Sequence, residues 1–199
     1  MTTQEQLTAV KAAKPALAAA GTEQKNQALL AMADALLADA APILAANQED
    51  LDAARGTISE VMLDRLALNQ ARLEGMAEGM RQVAALPDPV GKVMARVERP
   101  NGIVVEKTAV PMGVVAIIYE SRPNVTSDAA ALAVKSGNAC VLRCGKEAHR
   151  SAAAITAALR KGLAAAGLPA DGVCLIEDTT RASSLALMTA VGYVDLLIP

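Results

Sequence analysis

Two short segments concentrate the residue types that could do chemistry. Residues 119–126 read Tyr-Glu-Ser-Arg-Pro-Asn-Val-Thr, and residues 142–147 read Leu-Arg-Cys-Gly-Lys-Glu. Each segment lies at the end of an apolar run that is typical of a buried strand. Ligands of open α/β sheets bind in the crevice at the carboxyl ends of the strands. The two segments together therefore predict a ligand site.

The second segment has the residues of an anion site. Arg143 and Lys146 supply two cations, and Gly145 lets the backbone come close to a ligand. A helix that begins after this turn would add free N–H groups and the positive end of its dipole. Such a pocket suits a phosphate. An equally good alternative is that Arg143 and Lys146 are solvated loop charges, because the run matches neither a Walker loop nor a Gly-x-Gly-x-x-Gly turn.

The first segment could bind an acidic or acyl group. Arg122 precedes Pro123, which favours an extended backbone at the arginine. Its guanidinium could pair with a carboxylate or a phosphate through two parallel hydrogen bonds. Asn124 could donate to a developing oxyanion. It could also cap the helix that follows, and both roles stay open.

The first part of the chain, residues 1–86, is rich in alanine and has the apolar period of helices. Thr22 is a predicted N-cap, and Pro42 is expected in the first turn of a new helix. A further helix is predicted to begin at Asn69 or Gln70 and to run to Leu86. The run Pro-Asp-Pro at 87–89 then stops helix formation.

Residues 93–99 and 103–107 are rich in β-forming types and flank Pro100-Asn101-Gly102. Asn-Gly between such runs predicts a β-hairpin, although three intervening residues leave its turn type open. Strand and helix patterns then alternate, which predicts a parallel sheet with helices on both faces. The predicted strands are 113–119, 138–143, 173–176 and 194–198, and the predicted helices are 126–136, 148–166 and 182–191.

Composition narrows the function classes. Hydrophobic residues make up 53% of the 199, and 19 basic against 21 acidic residues leave a net charge of −2. This balance and the absence of Trp and Phe argue against nucleic-acid and membrane-surface partners. No metal site is predicted. Three cysteines and no secretory segment indicate free thiols in a reducing compartment, so we expect a soluble cytoplasmic protein.

Several segments resemble the gamma-glutamyl phosphate reductases of the aldehyde dehydrogenase superfamily. The resemblance is carried by Pro-Met-Gly-Val-Val-Ala-Ile-Ile-Tyr-Glu-Ser-Arg-Pro-Asn-Val-Thr at 111–126. Further similar runs are Met-Leu-Asp-Arg-Leu at 62–66, Lys-Ser-Gly-Asn-Ala at 135–139 and Tyr-Val-Asp-Leu-Leu-Ile-Pro at 193–199. They stand in the order and spacing of that family and extend over essentially the whole chain.

The resemblance implies an NADP-dependent glutamate-5-semialdehyde dehydrogenase of proline biosynthesis. Such an enzyme reduces L-glutamyl 5-phosphate to L-glutamate 5-semialdehyde with NADPH and releases phosphate. The implied fold is aldehyde-dehydrogenase-like, with N-terminal helices at 1–89, a protruding hairpin at 90–110 and an incomplete Rossmann-like sheet at 111–199. These would form an N-terminal NADPH-binding domain. Because Pro199 directly follows the last predicted strand, we expect a catalytic domain outside this chain.

The resemblance also implies roles for individual residues. Arg143, Gly145, Lys146 and Glu147 fall in the cofactor loop. Lys146 stands where many aldehyde dehydrogenases have a glutamate for the ribose 2′-hydroxyl. A lysine there attracts the 2′-phosphate of NADPH, which a glutamate would repel.

At the other strand end, the resemblance makes Asn124 the candidate oxyanion donor. Glu120 and Arg122 become substrate-binding candidates, with Arg122 facing the acyl phosphate or the substrate carboxylate.

Cys144 departs from the family, which usually has glycine at this position. A cysteine at a helix N-terminus could have a lowered pKa. The resemblance nevertheless places the nucleophilic cysteine beyond residue 199. Cys140 and Cys174 are predicted to be inert core residues.

The resemblance further implies a homo-oligomer formed through the hairpin and an association with a glutamate 5-kinase. An alternative interpretation is a non-catalytic nucleotide-binding or oligomerisation fragment. We expect the 199 residues alone to be inactive.

Overall fold

The computed structural model describes residues 1–199. Five helices come first, followed by two antiparallel strands and then by four strands that alternate with three helices. The helices are α1 (Thr3–Ala19), α2 (Thr22–Ala38), α3 (Ala40–Ala54), α4 (Glu60–Leu66), α5 (Gln70–Ala85), α6 (Asn124–Lys135), α7 (His149–Ala165) and α8 (Arg181–Met188). The strands are β1 (Val93–Glu98), β2 (Val104–Thr108), β3 (Val114–Ile118), β4 (Ala139–Arg143), β5 (Val173–Leu175) and β6 (Leu196–Ile198).

The last four strands form a parallel sheet in the order β5-β4-β3-β6. The chain moves outward from β3 to β5 and then returns to the other side of β3, so the strand order reverses between β3 and β6. Successive residues of β4 face opposite sides: Cys140 and Leu142 pack with α6 and α7, whereas Ala139 and Val141 pack with α1 and α8. The prediction of a parallel sheet with helices on both faces is confirmed.

The core is built from small and aliphatic side chains, which lets the helical layers approach closely. Gly162 of α7 shows this most clearly. A Cβ atom placed there would lie 2.4 Å from the backbone nitrogen of Met32 in α2. Because real Cβ atoms do not approach backbone that closely, glycine is required where α7 meets α2. The scarcity of aromatic residues is consistent with this close packing.

The hairpin of β1 and β2 confirms the interpretation of the Asn-Gly run. Arg96 pairs with Glu106, Val97 pairs with Val105, and Gly102 in the connection has a φ of 82°. Every residue of both strands is exposed. The hairpin therefore projects from the body of the molecule on both of its faces.

Two of the family-like motifs serve the fold. The Asp195 carboxylate accepts hydrogen bonds from the backbone N–H of Val114 (2.8 Å) and from Lys14 (2.9 Å), which joins β6 to β3 and α1. Gly113 is needed beside it, because a Cβ there would lie 2.1 Å from that carboxylate oxygen and φ is 124°. The Gly113 N–H donates to the side-chain oxygen of Asn138 (2.8 Å). These motifs set the register of the sheet.

Several predicted boundaries are wrong. The N-cap of α2 is Gly21, and the Thr22 hydroxyl instead donates to Asp88 (2.6 Å). Helix α8 ends at Met188 rather than at Val191, ahead of a turn in which Gly192 has a φ of 81°. Strand β6 begins at Leu196 rather than at Val194, after Asp195, whose backbone N–H donates to the Val114 carbonyl (2.9 Å) and whose carboxylate accepts from the Val114 N–H. By contrast, α5 begins at Gln70, one of the two predicted starts, and Asn69 caps it by accepting from the N–H of Arg72 (2.8 Å).

No single helix has the length and apolar composition to cross a membrane. The bent pair α2 and α3 meets those two criteria only when its members are taken together.

Candidate functional site

The structure brings the two polar strand ends together. β3 and β4 are neighbours, and the Tyr119 N–H continues their ladder by donating to the Arg143 carbonyl (2.9 Å). Beyond the strands, the Ser121 hydroxyl donates to the Glu147 carboxylate (3.2 Å). A Cβ at Gly145 would lie 3.1 Å from that hydroxyl. The contact between the segments was not foreseen, because no sequence rule pairs Ser121 with Glu147.

Arg143, at the end of β4, is engaged with the protein itself. Its guanidinium donates to the carbonyls of Thr179 (2.8 Å) and Thr180 (3.0 Å) in the loop between β5 and α8. The side chain is half-buried. Two of the five donors of this group thus hold a loop. Arg143 thereby holds the loop that follows β5.

The N-terminus of α7 is also occupied by a protein group. Asp50 of α3 is 1% exposed, and its carboxylate accepts from the N–H (2.8 Å) and the hydroxyl (2.6 Å) of Ser151. A helix N-terminus attracts negative charge, and here the charge comes from an aspartate. The N-terminus of α7 is therefore not available to a ligand anion, which corrects the prediction. The sequence alone does not show that Asp50 of α3 reaches this helix end.

Cys144 is buried among apolar side chains of the core. Burial raises the pKa of its thiol to about 12, although the neighbouring Arg143 acts in the opposite direction. The lowered pKa expected at a helix N-terminus is thus absent. Burial likewise raises the pKa of Cys140 to about 12 and that of Cys174 to about 11. Their predicted position in the core is confirmed. Thiols with pKa values this high stay protonated at neutral pH.

Lys146 is the cation at the β4 end that remains free. Its side chain is exposed and makes no hydrogen bond or ion pair. It lines a cavity of about 300 Å³ between α3 and the turn that follows β4, together with Glu147 and Arg150. An anionic group that enters this cavity would meet Lys146 without displacing a protein contact.

The β3 end is organised differently. Glu120 and Arg122 are exposed, and neither side chain has a hydrogen-bonding partner. Asn124 is the first residue of α6, whose N-cap is Pro123, so the capping role considered for Asn124 is wrong. Its amide instead donates to the Asp128 carboxylate (3.2 Å).

Tyr119 positions this segment. Its hydroxyl is 2.7 Å from that of Thr126, which ties the end of β3 to the first turn of α6. Burial raises the pKa of Tyr119 above its ordinary value, so the phenol stays protonated. The bond therefore closes the loop that contains Arg122 at its two ends.

Arg122, Asn124 and Asp128 form one wall of a cleft of about 510 Å³. The other wall comes from the end of α4 and the beginning of α5, and includes Asp64, Arg65 and Arg72. Two family-like motifs that are far apart in the chain, 62–66 and 111–126, thus meet across one cleft. Glu120 is not among the residues that line it. Sequence reasoning missed Arg65, because an arginine in a last helical turn is typical of helix ends.

The charges of the cleft are unevenly paired. Arg72 is bound to Asp64 (2.9 Å) and to the Ala67 carbonyl (2.6 Å). Arg65 and Arg122, in contrast, form no ion pair and their guanidinium groups donate to no protein atom. The cleft therefore offers two guanidinium groups that can bind a carboxylate or a phosphate through paired hydrogen bonds.

Comparison with known proteins gives the relatives of this chain. Gamma-glutamyl phosphate reductase from Neisseria meningitidis is 59% identical over 197 residues, which make up 99% of this chain and 47% of that protein. The enzyme of that name from Streptococcus pneumoniae is 57% identical over 196 residues, 98% of this chain and 47% of that protein. The chain thus spans about half the length of the curated relatives it matches. No family model matches it.

Solved structures agree with the sequence relatives. The crystal structure of gamma-glutamyl phosphate reductase from Thermotoga maritima covers the whole chain with a TM-score of 0.97 and 38% identity, over 48% of its own length. That of Saccharomyces cerevisiae covers it with a TM-score of 0.90 and 33% identity, over 51% of its length. A probable aldehyde dehydrogenase from Listeria monocytogenes shares the fold at 16% identity, with a TM-score of 0.72 over 98% of this chain and 40% of its own. The predicted fold class is confirmed, and over its full length the chain corresponds in sequence and fold to the N-terminal portion of the gamma-glutamyl phosphate reductases, which share the aldehyde dehydrogenase fold.

Proposed function

We propose that this chain forms the cofactor-binding part and one side of the substrate site of a reductase of L-glutamyl 5-phosphate. The reaction yields L-glutamate 5-semialdehyde and phosphate at the expense of NADPH. The observation that carries the proposal is the unpaired guanidinium of Arg122, which opens into the cleft beside the end of β3. The similarity to gamma-glutamyl phosphate reductases supports it.

Arg122 is assigned to the acyl phosphate. A planar guanidinium can bind two phosphoryl oxygens at once and offset their charge. Asn124 is assigned to the carbonyl oxygen, where its amide can donate to a developing oxyanion. The amide already bonds Asp128 through one N–H, at 3.2 Å, and keeps a second N–H for this role. Glu120 remains a substrate-binding candidate at the rim of the same strand end.

The nucleophile of the reaction is not assigned to this chain. A thiolate attacks an acyl carbon readily, but the three thiols here are buried and have raised pKa values. We infer that the reactive thiolate belongs to the part of the reductase that this chain does not span. The function of this chain is then to hold the two ligands in place.

NADPH is the proposed cofactor, and when bound it supplies the hydride. The reversal of strand order between β3 and β6 is the point at which open α/β sheets bind nucleotides. The donor set fits the nucleotide: Lys146 is a free cation beside a cavity, and the Glu147 carboxylate can accept from a ribose hydroxyl. Lys146 would bind the 2′-phosphate, and the neighbouring Gly145 and Arg143 would contact the nucleotide from the same turn.

We further propose the division of the chain into a helical part at 1–89, a hairpin at 90–110 and a cofactor-binding sheet at 111–199. The hairpin is proposed as the contact between copies in a homo-oligomer. Val97, Val104 and Val105 are each at least 44% exposed on it, which is unusual for paired strands of an isolated protein.

The experiment that tests this function uses the full-length enzyme and measures NADP-dependent oxidation of L-glutamate 5-semialdehyde in the presence of phosphate. Arg122→Ala is expected to lower kcat/KM by about 100-fold, because a charge-assisted pair to the phosphate is lost. The matched control is Arg81→Ala on α5, which removes an exposed ion pair with Asp34. Equal activity of the Arg122 variant and the wild type would contradict the assignment.

A further inference from the structure

The cleft contains a carboxylate that the proposed function does not use. Asp128 lies on α6, one turn after Asn124, and lines the same wall as Arg122. Its carboxylate accepts from the side chains of Asn124 (3.2 Å) and Ser127, and it forms no ion pair. It is therefore a negative charge that faces the cleft without a cation to balance it.

The other carboxylate of the cleft is different. Asp64 already has a cationic partner within the protein, because it pairs with Arg72 at 2.9 Å. Arg65, which follows Asp64 directly, has no partner. The groups left for a ligand are consequently two guanidiniums, on Arg65 and Arg122, and one carboxylate, on Asp128. A molecule that satisfies all three has two anionic groups and one cationic group.

We propose that Asp128 binds the α-ammonium group of the substrate and that Arg65 binds its α-carboxylate. This inference rests on the proposed function, since it assumes that the substrate lies in this cleft. Arg122 stands at the strand end and takes the acyl phosphate, while Arg65 stands on the opposite wall and takes the far end of the substrate. The cleft then selects a substrate with an α-ammonium group over an analogue that has the carboxylate but lacks the ammonium group.

The environment of Asp128 supports this role. Partial burial raises the pKa of its carboxyl, and the hydrogen bonds from Asn124 and Ser127 do not offset this effect. The ionised form is therefore poorly compensated in the unliganded protein. An ammonium group would compensate it, because an opposite charge within a few ångströms favours the charged form. At about 510 Å³, the cleft is within the range of small-molecule sites.

The test compares two aldehydes in the full-length enzyme. With phosphate and NADP⁺, each aldehyde is oxidised to its acyl phosphate, and NADPH and a proton are released. L-glutamate 5-semialdehyde carries the α-ammonium group, whereas 5-oxopentanoate lacks it but keeps the carboxylate. Asp128→Asn is expected to raise KM for the semialdehyde by about 10- to 100-fold, the loss of one charge-assisted hydrogen bond. Its KM for 5-oxopentanoate should stay within a factor of about two.

A second variant separates the two subsites. Arg65→Ala is expected to raise KM for both aldehydes, because both carry the carboxylate. The matched control is Asp52→Asn, an exposed aspartate of α3 outside the cleft. If Asp128→Asn raises KM equally for both aldehydes, or for neither, the inference about Asp128 is overturned while the proposed function stands. If the wild-type enzyme oxidises neither aldehyde with phosphate, the proposed function itself fails.

Discussion

The two strand ends at β3 and β4 carry similar residues but treat their charges in opposite ways. At the β4 end, Arg143 binds two backbone carbonyls, and the nearby N-terminus of α7 is closed by Asp50. At the β3 end, Arg122 has no partner and opens into a cleft. A charged residue at a strand end is therefore available to a ligand only if no neighbouring loop or helix binds it first.

The reason lies in what packs nearby. β3 and β4 are both internal strands of the sheet, but at the β4 end α3 and the loop before α8 come within hydrogen-bonding reach. The beginning of α6, after β3, faces the end of α4 across an open cleft instead. Substitution of a group that is bound within the protein should therefore lower stability, whereas substitution of a free group should affect ligand binding.

The largest effect on stability is expected at Asp50. Asp50→Ala removes the buried carboxylate that holds Ser151, and it should lower the free energy of unfolding by about 3 kcal/mol. Urea unfolding followed by circular dichroism measures this. Asp52→Ala on the same helix is the control, since Asp52 is exposed and its only partners are the surface side chains of Gln48 and Arg55. Similar losses in both variants would contradict the assignment of Asp50 as the cap of α7.

The direct comparison of the two arginines comes next. Arg143→Ala should lower the free energy of unfolding by about 2 kcal/mol, because two backbone carbonyls lose a charged donor. Arg122→Ala should change it by less than about 0.5 kcal/mol, since its guanidinium binds nothing in the protein. The same urea titration tests both. If Arg122→Ala lowers the free energy of unfolding as much as Arg143→Ala does, Arg122 is not free of protein contacts.

A smaller effect is expected at Lys146, the free cation of the β4 end. Lys146→Ala should weaken NADPH binding about tenfold, or about 1.4 kcal/mol, and leave NADH binding and stability unchanged. Calorimetric titration of the full-length enzyme with each nucleotide measures the ratio. Lys161→Ala is a suitable control, as it removes a surface ion pair with Asp39. An equal loss for both nucleotides would contradict the proposed 2′-phosphate contact.

The smallest effect on stability is expected at Asp128, the carboxylate that lies near the β3 end. Burial raises the folded-state pKa of Asp128 above its unfolded value, so ionisation of this group costs stability. The cost is absent below the unfolded pKa and complete above the folded one. Asp128→Asn should therefore stabilise the protein slightly at neutral pH, by no more than about 0.5 kcal/mol, and have no effect in acid. Unfolding measured across this range checks the sign, and a variant that is less stable at pH 7 would contradict it.

Much of the fold could be predicted from local patterns. The hairpin, the beginning of α5 at Gln70 and the alternation of strands and helices depend on residues adjacent in the chain, so the sequence shows them directly. The errors arose where a distant residue intervened. Thr22 binds Asp88 instead of capping its own helix, and Asp195 binds the beginning of β3 before the β6 ladder starts.

Residue types and the predicted strand ends were enough to select the residues that could serve a ligand: Arg122 and Asn124 at one strand end, Arg143, Gly145 and Lys146 at the other. Which of these charges remain free became visible only in the folded chain, and the fold added Arg65 and Asp128. A charge is free or engaged according to the distance of its nearest partner, and in a folded chain that partner is set by packing between segments remote in sequence.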